Sequence, residues 1–143
     1  MKTIKSISFA VILFIAGTTI SYAQKVAHIH KAPHGGMIQE AGSYHIEMVQ
    51  DENNLTFYLL DAKSKTLSNK AVKGSVLFEF LGNKTKAPAS LNNSSNNALI
   101  VSIPKANTFG YCTISLKVKG KTVSAKFLND TVSKEDIEHG HQH

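Results

Sequence analysis

The chain has 143 residues, 42% of them hydrophobic and 18% charged, with 16 lysines, no arginine, one cysteine, no tryptophan and a formal charge of +6. A single cysteine excludes an internal disulfide framework, so stability has to come from an ordinary apolar core. The lysines are scattered and lack the bidentate geometry that arginine brings to phosphates and bases, so neither nucleic-acid binding nor membrane insertion is expected.

Residues 1–23 read as a secretory signal peptide. Lys2 and Lys5 precede the apolar run Phe9–Ala16, and Ser21-Tyr22-Ala23 places small residues before a cleavage at Gln24. The run is too short to be a membrane anchor, and no cysteine follows it to carry a lipid. The expected product is a periplasmic protein of one domain, whose formal charge drops to +4 when Lys2 and Lys5 leave with the leader.

Residues 24–33 are expected to form a flexible segment containing His28 and His30. A β domain then spans 34–129. Period-2 alternation dominates it, and no helical periodicity competes. Met37–Gln39 and Ser43–Gln50 form a hairpin around Ala41-Gly42, and a strand follows over Leu55–Asp61. Ala62–Lys70 is polar connection, Val72–Leu81 a strand, and Thr85–Leu91 a short edge strand because Pro88 cannot donate to a central ladder. Asn92–Asn97 is a polar loop, Ala98–Ile103 a strand, and Thr108–Lys119 with Thr122–Leu128 a second hairpin turning at Lys119-Gly120. Seven or eight short strands predict an all-β fold, an antiparallel β-sandwich of immunoglobulin-like form without the paired cysteines and tryptophan of antibody domains. Cys112 falls in phase with Ile114, Leu116 and Val118, which makes it a small buried hydrophobe rather than a ligand or nucleophile. Residues 130–143 form a polar His-rich tail.

The seven histidines set the functional expectation. His28, His30 and His34 cluster before the strands, His139, His141 and His143 cluster at the other end, and His45 stands alone on a strand. Neutral imidazole is the commonest protein metal ligand. Alternation puts His45 and Glu47 on one face of their strand, with Tyr44, Ile46 and Met48 on the other. The hairpin returns His34 and Met37 beside them, so His34, Met37, His45 and Glu47 are candidates for one ordered metal locality, and the other five end histidines for weaker capture. Thioether with imidazole favours Cu(I), and imidazole with carboxylate suits Cu(II), zinc or nickel; copper leads.

His34-Gly35-Gly36, the run Ala41–Glu47 and the run Leu55–Asp61 resemble small periplasmic heavy-metal-binding domains, found alone or at the N-terminus of copper/silver-type efflux adaptor proteins. That resemblance spans roughly residues 34–81 and implies a β-sandwich serving metal resistance, with His34, His45 and Glu47 at matching polar positions. The chain lacks the helical hairpin and lipoyl-type segments of a whole adaptor. A freestanding binder that buffers copper or hands it to an efflux system is the leading expectation. The alternative is a metal-independent β-sandwich interaction module of the cell envelope. No serine or threonine is set beside a histidine and a carboxylate, so an enzyme is not expected.

Overall fold

The computed structural model describes residues 31–82 and 85–133, and there the alternating sequence becomes two antiparallel sheets. The expected signal peptide, His28, His30, His139, His141 and His143 lie outside the described residues. The strands are β1 (Met37–Ala41), β2 (Tyr44–Gln50), β3 (Asn54–Leu60), β4 (Lys73–Phe80), β5 (Lys86–Ser90), β6 (Asn92–Asn93), β7 (Leu99–Ser102), β8 (Phe109–Val118) and β9 (Lys121–Leu128). One sheet has the order β1-β2-β3-β7-β6 and the other β5-β4-β8-β9. This is the immunoglobulin-like order: β2, β3, β7 and β6 stand as strands A, B, E and D, and β4, β8 and β9 as C, F and G. β5 extends the second sheet beside C, and β1 is added outside A. No helix among the described residues is long and apolar enough to cross a membrane.

The inner faces interlock because every second residue is apolar. Ile46, Met48, Leu55, Phe57, Leu59, Leu99 and Val101 of the first sheet meet Val76, Phe78, Cys112, Ile114, Leu116, Ala125 and Phe127 of the second in one buried cluster. Phe78 meets Phe109 edge-on at 5.2 Å, and Phe57 packs at a tilt on Phe127 at 5.9 Å, arrangements that suit the ring quadrupole. Cys112 is fully buried, with its thiol 3.6 Å from the Met48 sulfur.

The turn between β8 and β9 is Lys119-Gly120, with φ of 49° and 80° at the two positions. Two positive φ values joining Val118 to Lys121 define a type I′ hairpin, whose twist matches that of the strands. The first hairpin turns one residue later than the spacing suggests, at Gly42-Ser43 between the paired Ala41 and Tyr44. β5 is an edge strand, where Pro88 costs no ladder bond.

The polar connections are more ordered than their composition implies. Asn92–Asn97 holds β6 and a short 3₁₀ turn, Ser95–Asn97. Asn69, in the stretch expected only as connection, is buried and donates to the carbonyls of Ser94 and Ala98 at 2.8 Å each. Asn93 in turn donates to the Asn69 carbonyl at 2.6 Å. Two amides thus clamp the 62–72 crossover to the β6–β7 end, satisfying backbone groups that a buried loop would otherwise leave bare.

Candidate metal centre

The outer face of the five-stranded sheet carries His34, His45 and Glu47, and of these His34 and Glu47 are in contact. β2 turns His45, Glu47 and Val49 outward, and register sets Glu47 between Ile38 of β1 and Tyr58 of β3. A carboxylate there would ordinarily be solvated, yet Glu47 is fully buried. The segment His34-Gly35-Gly36 folds over it. The backbone N–H groups of His34 and Gly36 both donate to Glu47 Oε1 at 2.9 Å, and His34 Nδ1 lies 2.7 Å from Oε2. Three donors on two oxygens satisfy the buried charge, which would otherwise be costly to hold out of water.

The glycine spacing of this segment now has a reason. A Cβ on Gly36 would lie 2.2 Å from the Met48 carbonyl oxygen. Only glycine lets the loop come close enough to β2 for its N–H to reach Glu47. Tyr58 supplies the floor for the histidine: the two rings are stacked, 3.6 Å between centroids and 6° from parallel. His34 is thereby held by a carboxylate at one nitrogen and by an aromatic ring on one face, while its side chain keeps 28% exposure.

The contacts also assign the tautomer. An ionised carboxylate only accepts, so Nδ1 of His34 carries hydrogen and the lone pair of a neutral ring sits on Nε2. The Thr66 hydroxyl is 3.5 Å from that Nε2. Thr66 is placed by its bridge to Leu60 and by the turn before it. In that turn Asp61 Oδ1 accepts the backbone N–H groups of Lys63 and Lys65 at 2.9 Å each. The Lys65 N–H, and after it that of Lys63, holds the Asp61 carboxyl below its ordinary value against an opposing effect of burial.

His45 repeats the pattern on the same face. Its Nδ1 is 3.2 Å from the Asp61 carbonyl oxygen, again a pure acceptor, so its neutral ring also places the lone pair on Nε2. Metal-binding histidines characteristically donate their other N–H to a carboxylate or a carbonyl in this way, which fixes the ring and raises its basicity.

Not every expected residue joins them. Met37 is paired with Met48 and packs against the core, on the sheet face opposite Glu47. The one-residue alternation of β1 turns Ile38 toward Glu47 and Met37 away from it, so the hairpin brings Met37 near in sequence register but not to the locality. Glu47 has both oxygens engaged by the His34–Gly36 segment, which makes it the orienter of His34. Among the described residues, no group of three or more His, Cys, Asp or Glu side chains is close enough to hold a metal ion. The described residues therefore set His34 and His45 on one face of the sheet without a complete ligand set.

Tyr58 and Thr66 were not legible as site residues. Alternation could have placed Tyr58 outward on β3, but its pairing with Glu47 depends on the β2–β3 register. An open cleft of about 710 Å³ lies at one end of the sandwich, lined by Asp51, Glu52, Asn107, Asn129 and Asp130 among others, and includes none of the histidines. Comparison of the chain with protein-family models, with curated proteins and with solved structures gives no match, so the reading of this site rests on its own geometry.

Proposed function

We propose that the chain is an exported periplasmic protein that binds a transition-metal ion, copper ahead of zinc or nickel, and buffers it or passes it to an efflux system. The observation that carries this reading is the His34–Glu47 pair: a buried carboxylate holds Nδ1 of a partly exposed imidazole at 2.7 Å and leaves Nε2 as its ligating atom. His45, anchored through Nδ1 on a carbonyl, is a second donor of the same kind. Its remaining ligands are assigned to the end histidines. His28 and His30 precede His34 by six and four residues, a separation that a chain spanning at most ~3.6 Å per residue can bridge in either direction. His139, His141 and His143 add weaker capture.

The five-stranded sheet suits a cation electrostatically. Its strands carry Glu40 and Glu47 and no lysine. Imidazole donors with a supporting carboxylate match Cu(II), zinc and nickel, and the same imidazoles accept Cu(I). Binding releases protons, because only the neutral ring ligates.

Titration of the tag-free protein with Cu(I), Cu(II), Zn(II) and Ni(II) tests the reading. One equivalent should bind tightly, and His34→Ala should weaken it by at least about 10–100-fold, the range for orienting groups around a metal. His45→Ala should weaken it as well, and His143→Ala should remove weak binding only. Bound metal should leave as the pH falls from about 7.5 to about 5.5, where protons take the imidazole lone pairs. A parent protein that binds no metal, or a His34→Ala/His45→Ala double variant that binds like the parent, sinks the proposal. The second reading, an envelope interaction module independent of metal, is favoured by the absence of a three-ligand group among the described residues. It would be left standing by that result.

A further inference from the structure

The outer face of the four-stranded sheet is built differently from the metal face. The outward positions of its strands carry Lys73, Lys86, Lys117 and Lys126 against a single carboxylate, Glu79. Glu79 is already committed: its two oxygens lie 3.5 Å from Lys86 Nζ and 2.8 Å from Lys126 Nζ. Lys126 Nζ also sits 4.4 Å over the Tyr111 ring. Lys73 and Lys117, both exposed, are directly opposite each other across β4 and β8. Like charges facing across a strand pair destabilise a sheet, so the arrangement is one that an anionic partner would relieve.

Beside that pair runs a row of hydroxyls. Register aligns Ser90 of β5, Ser75 of β4, Ser115 of β8 and Ser124 of β9 across the whole sheet. The Ser115 and Ser124 hydroxyls are 2.9 Å apart. Neighbouring strands are ~4.8 Å apart, so the row sets a serine at that repeat over three intervals, with the Ser115 and Ser124 hydroxyls drawn together into one hydrogen-bonded pair.

We propose that this face docks an acidic polysaccharide, a hydroxyl-rich chain bearing carboxylates, that lies across the strands on the serine row with its carboxylates on Lys73 and Lys117. Charge complementarity calls for an anion, and a row of short hydroxyls repeated strand by strand suits an extended polymer of similar repeat. A membrane surface fits less well: Leu77 and Leu128 are half-buried, and no apolar side chain stands out as an anchor. Nucleic acid fits less well too, since arginine is absent and the Tyr111 ring is covered by Lys126. The proposal is independent of metal binding, because the two sites occupy opposite faces of the sandwich.

The test is binding of the full chain to polygalacturonate at low salt in the presence of a chelator, with neutral dextran, phosphatidylglycerol vesicles and an acidic polypeptide as parallel probes. The parent should bind polygalacturonate in preference to all three. Lys73→Gln/Lys117→Gln should weaken that binding about tenfold and reduce its salt dependence by up to about one counterion per lysine removed. Its thermal midpoint should stay level or rise, because the repulsion is gone. Ser115→Ala/Ser124→Ala should weaken binding with the salt dependence unchanged. A parent that ignores polygalacturonate, that prefers any other probe, or whose lysine variant binds as the parent does, overturns the proposal. The His34→Ala variant should bind polygalacturonate like the parent, which separates this surface from the metal site.

Discussion

His34 donates its Nδ1–H to Glu47 across 2.7 Å, from a segment that precedes the first strand to the middle of the second. The contact ties the tautomer of a partly exposed histidine to a carboxylate that has no exposure of its own. Position 47 therefore governs chemistry at a nitrogen it does not touch.

Glu47→Gln tests that dependence with little change in shape. The amide oxygen can still accept the N–H groups of His34 and Gly36, but its NH₂ then faces Nδ1 and donates to it. The neutral ring of His34 is forced into the other tautomer, with hydrogen on Nε2 and no lone pair outward. Nitrogen NMR of the imidazole should report the switch, and metal affinity should fall by at least about tenfold. Unchanged nitrogen shifts in this variant would show that Glu47 does not set the tautomer.

Gly36→Ala should be among the most damaging small substitutions in the domain. The added methyl would meet the Met48 backbone oxygen at 2.2 Å, and backbone in a paired strand cannot step aside. Retreat of the loop would break the Gly36 N–H bond and expose Glu47 to an incomplete set of donors. A loss of at least about 3 kcal/mol by urea unfolding is expected, the upper range for overpacking. Gly35→Ala, where no atom lies within 4 Å of the added carbon, loses only the conformational freedom needed at φ of 78° and should cost less.

Cys112 should make stability fall in alkaline solution. Burial pushes its thiol up to about 12 from 9.0. In the unfolded chain the thiol ionises at the lower value, so between the two the folded state holds the extra proton and stability falls as pH rises. Cys112→Val should flatten that part of the profile, and the native thiol should react with a disulfide reagent only as fast as the domain opens. Rapid labelling of the folded protein would contradict the burial of this side chain.

Lys119→Asn should raise stability. Lys119 has φ of 49° at the first central position of a type I′ turn, where asparagine before glycine is preferred and a lysine side chain is not. Relief of left-handed backbone at a non-glycine residue is worth roughly 1 kcal/mol. The thermal midpoint should rise with no effect on metal or polysaccharide binding.

Much of the architecture was legible in the chain alone, because period-2 alternation is a local property and each strand must bury one face. That reasoning places Ile46 and Met48 inward, Cys112 in the core, Pro88 on an edge strand and the second hairpin at Lys119-Gly120. It also puts His45 and Glu47 on a common outer face. What alternation does not carry is register, since pairing partners are set by the packing of whole strands. Register decided that Glu47 lies beside Tyr58, that Met37 turns into the core, and that four serines from four strands form one row. Burial of Glu47 was equally invisible, because the His34–Gly36 segment covers it through backbone N–H groups that every residue but proline possesses. The types of chemistry available to this protein were written in its residues; which of those residues meet was decided by the tertiary fold, where close approach and desolvation give a single carboxylate command of a histidine thirteen positions away.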